Sequence, residues 1–369
     1  MRKRPFAVRI IIAFLLALPV AGVQAQDALR TENVILITMD GFRWQELFTG
    51  ADEKLIDDEA FVEEPGILRE RYWDNDPVTR RSKLMPFFWS VIAERGQLYG
   101  NRAYDNFVDV TNSHRFSYPG YNEILTGFAD DRIDSNDKID NANVTVLEYI
   151  NGLDDFRGLV AAFASWDVFP WIINEKRNGI PVNAGFRMAA ETDLSQRERL
   201  LNELQPEIPS PWPTVRLDAF THHYAMEYLR KHSPRLLFIA YGETDDFAHD
   251  AEYDQYLESA HRTDAFIGKI WNWVQSTDGY RDATTLIVTT DHGRGTEPRD
   301  AWERHGADIP GSEQIWLAVI GPDTKPLGEI QTSGRYYQDQ VARTVATLLG
   351  TDYTGGGKAG KAIDAITGR

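Results

Sequence analysis

The chain has 369 residues, 42% of them hydrophobic and 12% aromatic, a globular composition long enough for one large domain or two. It has no cysteine, which excludes disulfides, thiolate metal sites, a cysteine nucleophile and a lipid-anchored cysteine. The formal charge of −17 argues against nucleic-acid backbone binding. It would also repel anionic substrates unless a strong local positive charge, such as bound metal, reverses the field.

The N-terminus reads in three parts. Arg2, Lys3, Arg4 and Arg9 are basic, residues 10–23 are apolar, and Val23-Gln24-Ala25 offers the small residues that a signal peptidase reads. This order predicts a signal peptide over 1–25, cleaved after Ala25, and a periplasmic or secreted protein. The apolar run is short for a bilayer span and no later stretch approaches that length, so no stable membrane insertion is expected after cleavage. Losing the four basic residues takes the mature chain to about −21.

Five short apolar runs then read as strands buried on both faces, the pattern of a parallel sheet: NVILITM (33–39), GLVAAFA (158–164), RLLFIAY (235–241), TTLIVTT (284–290) and IWLAVIG (315–321). Helical spacing of apolar residues marks 215–232, 254–275 and 336–349. The alternation predicts an α/β sandwich with a mostly parallel central sheet flanked by helices, occupying 26–350. Residues 51–82 and 167–213 break the rhythm and are expected as surface insertions. Residues 351–369 are glycine-rich and expected as a flexible tail.

Polar residues gather where the strands end, which is where ligands bind in open α/β sheets. The first strand runs into Asp40-Gly41, the third into Asp245 and His249, and the fourth into Asp291-His292-Gly293. His305 follows, just before the last strand. A strand-end Asp ordinarily caps the next turn. That reading must hold separately at every strand end, whereas a shared metal site explains all of them together. Imidazole and carboxylate ligands suit zinc, and manganese is compatible. Six such side chains exceed one tetrahedral site and point to two divalent ions. The other five histidines (His114, His222, His223, His232 and His261) fall in helical patterns or polar loops and read as surface or packing residues.

In SYPGYNEILTG, Pro119 suits the first turn of a short helix that Gly127 ends. Ser117 then stands at a helix N-terminus, where free N–H groups favour an anion, although a plain serine cap looks the same in isolation.

This set resembles the alkaline phosphatase superfamily, most closely its type I phosphodiesterase/nucleotide pyrophosphatase branch, over roughly 33–349. ILITMDGFR is similar to the family's opening strand, with Asp40 as a ligand. SYPGYNEILTG resembles the nucleophile helix, with Ser117 in the place commonly held by Thr. ETDDFAH resembles Asp-x-x-x-His, and TTDHG the Asp-His pair. The resemblance implies an alkaline-phosphatase-like three-layer sandwich and Ser117 as attacking hydroxyl. It also implies that Asn136 contacts a phosphoryl oxygen. Asp245, His249 and His305 would hold one metal, and Asp40, Asp291, His292 and the Ser117 oxygen the other. A small phosphorylated substrate would pass through a phosphoserine.

Three other activities compete. A phosphomonoesterase uses the same metal core. A sulfatase needs a formylglycine from Cys or from Ser-x-Pro-x-Arg, and Tyr121 stands where that Arg belongs. A non-catalytic metal- or phosphate-binding protein is the third. Arg115, Arg157, Lys176 and Arg177 are candidate phosphate-binding cations, with loop or surface charge as the default for each.

Overall fold

A computed structural model describes residues 29–368, together with Met1. Apart from Met1, the expected signal peptide lies outside the described residues. Among the described residues, eleven strands form two sheets: β1 (Asn33–Met39), β2 (Gln97–Tyr99), β3 (Asn106–Asp109), β4 (Val160–Ala164), β5 (Val182–Ala184), β6 (Leu236–Tyr241), β7 (Thr284–Thr289), β8 (Gln314–Ile315), β9 (Leu317–Ile320), β10 (Gly328–Glu329) and β11 (Gly334–Tyr337). The large sheet has the order β10-β2-β9-β7-β1-β6-β4-β5, and a small one has the order β11-β3-β8.

Every residue of β1, β6 and β7 is buried, as expected for β-branched and leucine-rich strands covered on both faces. Side chains alternate across the sheet. Ile35, Ile37 and Met39 enter one core cluster, while Val34 and Leu36 enter the other. Two helical layers therefore sandwich the sheet. One layer is built on α3 (Asp218–His232) and α5 (Tyr253–Ser276), and the opposite one holds α1 (Ser117–Thr126) and α6 (Val341–Leu348). Two further helices, α2 (Gln196–Glu207) and α4 (Glu243–His249), complete the set used below. In α5 alone, Ile267, Ile270, Trp271 and Val274 are buried, and each such side chain contributes about 1.5–3 kcal/mol relative to exposure.

The parallel register positions the site. β7, β1 and β6 lie side by side, with Thr38 opposite Thr289 and Met39 opposite Tyr241, so all three strands end at one level. The run 315–321 departs from the parallel pattern, because β9 pairs antiparallel with both β7 and β2.

Two expectations need correction. Residues 51–82 are more than a surface excursion: helices Glu53–Ile56, Pro65–Tyr72 and Pro77–Leu84 bury Leu55, Ile56, Leu68, Tyr72 and Leu84 in the core. A thin apolar stripe is hidden there among charged residues. The glycine-rich tail is packed and not loose. Tyr353, Ile363 and Ile366 are buried, and the Tyr353 hydroxyl donates to the Thr126 and Val144 carbonyls at 2.9 and 2.6 Å. The other insertion, 167–213, contributes β5 to the sheet edge and helix α2. Among the described residues, no helix is long and apolar enough to cross a membrane.

Candidate active site

Three adjacent strand ends deliver the acidic residues. Asp40 follows β1, and its backbone N–H donates to the Tyr241 carbonyl at 3.0 Å. Asp291 and His292 follow β7 and are fully buried. Asp245 and His249 lie one turn apart on α4, which begins directly after β6.

The left-handed Gly41 (φ +57°) makes this convergence possible. A Cβ there would stand 2.6 Å from Asp245 Oδ1 and 3.1 Å from His292 Cε1, so only glycine fits without displacing both.

His292 Nε2 lies 3.4 Å from Asp40 Oδ1, 3.4 Å from Asp291 Oδ2 and 3.7 Å from Asp245 Oδ1. Asp40 Oδ1, Asp291 Oδ2 and His292 Nε2 are all buried and lack a hydrogen-bond partner. His292 Nδ1 lies 3.0 Å from the Gly293 carbonyl, and a carbonyl only accepts. Nδ1 therefore carries the proton, and the Nε2 lone pair faces the two carboxylates. Leaving a buried polar atom unpaired costs about 1–3 kcal/mol. Three facing each other have the chemistry of a cation site.

A second cluster adjoins the first. His305 Nε2 is 3.7 Å from Asp245 Oδ1, and His249 Nε2 is 3.3 Å from Asp245 Oδ2 and 3.0 Å from His305 Nε2. His249 is the most exposed of the set, with 44% of its side chain accessible, so this cluster opens to solvent. Asp245, His292 and His305 present ligand atoms within 4.8 Å of one another, and so do Asp40, Asp291 and His292. His292 thus stands between the two clusters.

Electrostatics separates the carboxylates. Burial pushes Asp40 and Asp291 well up from the ordinary range, and neighbouring carboxylates add to it. Asp245 is held well below that range. Burial opposes its charge, but the Arg294 guanidinium and the His249 imidazole outweigh it. Arg294 is itself buried and donates to Asp245 Oδ1 at 2.6 Å and to the Asp245 carbonyl at 2.8 Å. Its other terminal nitrogen donates to the Glu303 carbonyl at 2.8 Å, tying α4 to the segment that carries His305. Burial pushes His305 well down, with His292 adding to it, so the imidazole is neutral and competent to ligate.

Ser117 opens α1, with extended Phe116 at the cap and left-handed Gly127 at the other end. The helix lies against the acidic cluster. A Cβ on Gly120 would stand 2.4 Å from the Asp291 carbonyl, and the Tyr121 hydroxyl donates to Asp40 Oδ2 at 2.8 Å. Ser117, Gly120 and Tyr121 are spaced i, i+3, i+4 and share that face. Asn136 stands beside the same helix end. Its Oδ1 accepts the Tyr118 N–H at 3.0 Å, and its Nδ2 has no protein partner among the described residues.

Other polar residues are engaged elsewhere. Arg157, Lys176 and Arg177 pair with Asp154, Asp140 and Glu148 at 2.9, 3.2 and 2.6 Å, and the Arg115 guanidinium lies 3.3 Å from Glu313. His222 is buried, stacked on Phe266, and His232 is stacked on Tyr228. Sequence reasoning passed over Tyr121 as a partner of Asp40, and over Arg294. The signal for Arg294 was present, as an arginine two residues after a ligand-type histidine at a buried strand exit.

A model described as "Type I phosphodiesterase / nucleotide pyrophosphatase" matches residues 118–348. Among solved structures, the chain is similar to wild-type alkaline phosphatase PafA, with TM-score 0.58 and 11% identity, covering 93% of this chain and all of that one. It is also similar to phosphonate monoester hydrolase SpPMH from Silicibacter pomeroyi, with TM-score 0.57 and 14% identity, covering 92% and 77%. The lipoteichoic acid synthase LtaP from Listeria monocytogenes gives TM-score 0.56 and 13% identity, covering 91% and 76%. At these identities the likeness is one of fold. No curated protein sequence gives a significant match.

Proposed function

The chain belongs to the type I phosphodiesterase/nucleotide pyrophosphatase family and hydrolyses phosphoric ester bonds; we propose that it does so as an exported enzyme with Ser117 as nucleophile and two divalent metal ions, zinc or manganese. The carrying observation is the set of three unpartnered buried atoms, Asp40 Oδ1, Asp291 Oδ2 and His292 Nε2, facing one another beside the helix that begins at Ser117. In this reading Asp40, Asp291 and His292, with the Ser117 oxygen, hold one ion, and Asp245, His249 and His305 hold the other. When bound, the two ions supply Lewis acidity and positive charge on both sides of an in-line displacement.

The chain's own groups supply the rest. The Ser117 oxygen attacks phosphorus and gives its proton to solvent water, and the bond to the leaving oxygen breaks as the serine ester forms, that oxygen departing as an alcohol with a proton taken from water. Water then attacks the same phosphorus and returns the hydroxyl. Charge on the equatorial oxygens is met by the Asn136 Nδ2 amide and the Ser117 N–H, since the Tyr118 and Gly120 N–H groups already donate to Asn136 Oδ1 and the Phe116 carbonyl and Pro119 has none. The Nδ1 contacts to the Gly293 and Arg115 carbonyls leave Nε2 of His292 and His305 turned toward the ligand clusters.

Diesters are favoured over monoesters by the family match. That match is to phosphodiesterases and nucleotide pyrophosphatases, whose substrates are diesters and anhydrides. Export rests on the leader.

Rates on bis-p-nitrophenyl phosphate, p-nitrophenyl phosphate and p-nitrophenyl sulfate, before and after chelation, test the reading. The diester should be fastest, and all phosphoester turnover should vanish on chelation and return with zinc or manganese. A faster monoester would establish the phosphomonoesterase reading, and a faster sulfate would establish sulfatase chemistry. No turnover of any ester, with metal bound, would mean a binding protein.

A further inference from the structure

The segment that leads into Ser117 also touches a metal-ligand histidine. Asn112 is buried (4% exposed). Its Nδ2 donates to Glu123 Oε2 at 2.9 Å, and its Oδ1 accepts the Arg115 N–H at 2.7 Å. Arg115 has φ +56°, a conformation that a residue with a Cβ adopts at a cost of about 1–2 kcal/mol and that persists only when its surroundings hold it. The Arg115 carbonyl lies 3.1 Å from His305 Nδ1.

We propose that Asn112 and the Arg115 backbone are positioning residues that fix Ser117 and His305 in one register. The proposal rests on the two-metal reading above. The Arg115 carbonyl only accepts, so His305 must carry its proton on Nδ1 and keep the Nε2 lone pair toward Asp245. Two residues along the chain, Ser117 opens α1. The left-handed turn at Arg115 therefore sets the tautomer and ring plane of a ligand and the start of the nucleophile helix together. Glu123, in the middle of that helix, anchors the arrangement. It is fully buried and also accepts the Thr111 and Asn112 backbone N–H groups, both at 2.8 Å. The helix thus grips the loop from which it starts. Arg115 contributes its carbonyl and its conformation, while its side chain turns outward to the Ala307 carbonyl and Glu313.

The test is cobalt(II) titration of metal-free full-length protein, followed by absorption and by competition with a chelator, on the wild type and four variants. Outer hydrogen bonds to ligating histidines affect metal affinity on the scale of about 10–100-fold. Asn112→Ala should weaken one of the two cobalt-binding steps by about that factor, the same step that His305→Ala abolishes, and leave the other step and the melting temperature near wild type. Arg115→Gly should bind both ions within about threefold of wild type, because glycine adopts positive φ freely and keeps the carbonyl. Asn112→Ala/Arg115→Gly should recover part of the affinity that Asn112→Ala loses.

Unchanged cobalt binding in Asn112→Ala, or loss in Arg115→Gly as large as in Asn112→Ala, would overturn the link while leaving the two-metal site standing. Equal weakening of both steps with a large fall in melting temperature would show that Asn112 acts on the fold and would also overturn it. If the wild type bound no cobalt, or His305→Ala changed nothing, the two-metal reading itself would fail and the link with it.

Discussion

The Tyr121 hydroxyl donates to Asp40 Oδ2 at 2.8 Å, and both residues are buried. The bond occupies one carboxylate oxygen and leaves Oδ1, unpartnered, facing Asp291 and His292. A fixed outer hydrogen bond of this kind orients a ligating carboxylate, and its removal commonly costs about 10–100-fold in metal affinity. Tyr121→Phe should therefore lower metal affinity and turnover together while the protein stays folded. The ring keeps its packing on Phe169, with centroids 4.6 Å apart. Metal content after dialysis against a chelator series checks this. Wild-type retention in Tyr121→Phe would show that Asp40 is oriented without the phenol.

Gly41→Ala is expected to be far more damaging than its single methyl suggests. Its Cβ would meet Asp245 Oδ1 at 2.6 Å and Arg294 Nε at 3.1 Å, inside two ligand clusters. The backbone penalty at positive φ is about 1–2 kcal/mol. The larger effect is displacement of Asp245 from its bond to Arg294. Turnover should fall at least about 100-fold, with metal content reduced, while thermal unfolding moves only a few degrees. A variant with normal metal content and rate would mean that the backbone relaxes away from the clash.

Much of this site was legible because each strand announces itself. Asp40, Asp245 and Asp291 follow uninterrupted apolar runs, and a buried run ending in acids is a strong local signal. Convergence follows from adjacency of β7, β1 and β6. Sequence shows the strand ends, but strand order arises from crossover packing and is not written locally. Tyr121 was missed for a related reason: in a helix of mixed residues nothing marks one tyrosine as facing a distant aspartate. The tail misled through composition. Its glycines suggested mobility, yet a Cβ on Gly355 would stand 2.9 Å from the Thr126 carbonyl, so small residues here serve close approach.

The buried His222 gives an acid-stability prediction. Burial, with His223 beside it, pushes its pKa down from 6.5 to about 3, and its Nδ1 lies 3.0 Å from the Tyr241 hydroxyl. The folded state therefore disfavours the proton that the unfolded chain takes up near 6.5. The contribution is intact above 6.5 and declines as pH falls toward about 3, by roughly 1.4 kcal/mol per pH unit within that window. Urea unfolding of wild type and His222→Gln at several pH values from neutral to acid isolates the effect. The wild-type stability should fall more steeply on acidification than the variant's. Parallel slopes would assign acid lability to other groups.

Ser117→Ala should remove most phosphoester hydrolysis while leaving the fold and much of the metal binding intact. The hydroxyl would be one ligand of one ion, and Asp40, Asp291 and His292 remain on the rigid ends of β1 and β7 to hold it. Losing a covalent nucleophile commonly costs about 10³-fold or more, since only electrostatic stabilisation and a poorly placed water are left. Substitution at N1 of α1 removes no hydrogen bond that stabilises the helix, because the cap is Phe116 and makes no side-chain bond. His292→Ala should behave differently. Its Nε2 faces Asp40, Asp291 and Asp245, so rate and metal content should fall together. Brief reaction of the wild type with labelled diester, followed by an acid quench, should leave the labelled phosphoryl group, still carrying its second ester substituent, on the peptide that contains Ser117, and Ser117→Ala should leave none. If the alanine variant keeps near-full activity, or the label maps to another peptide, direct attack by water replaces the serine ester as the mechanism.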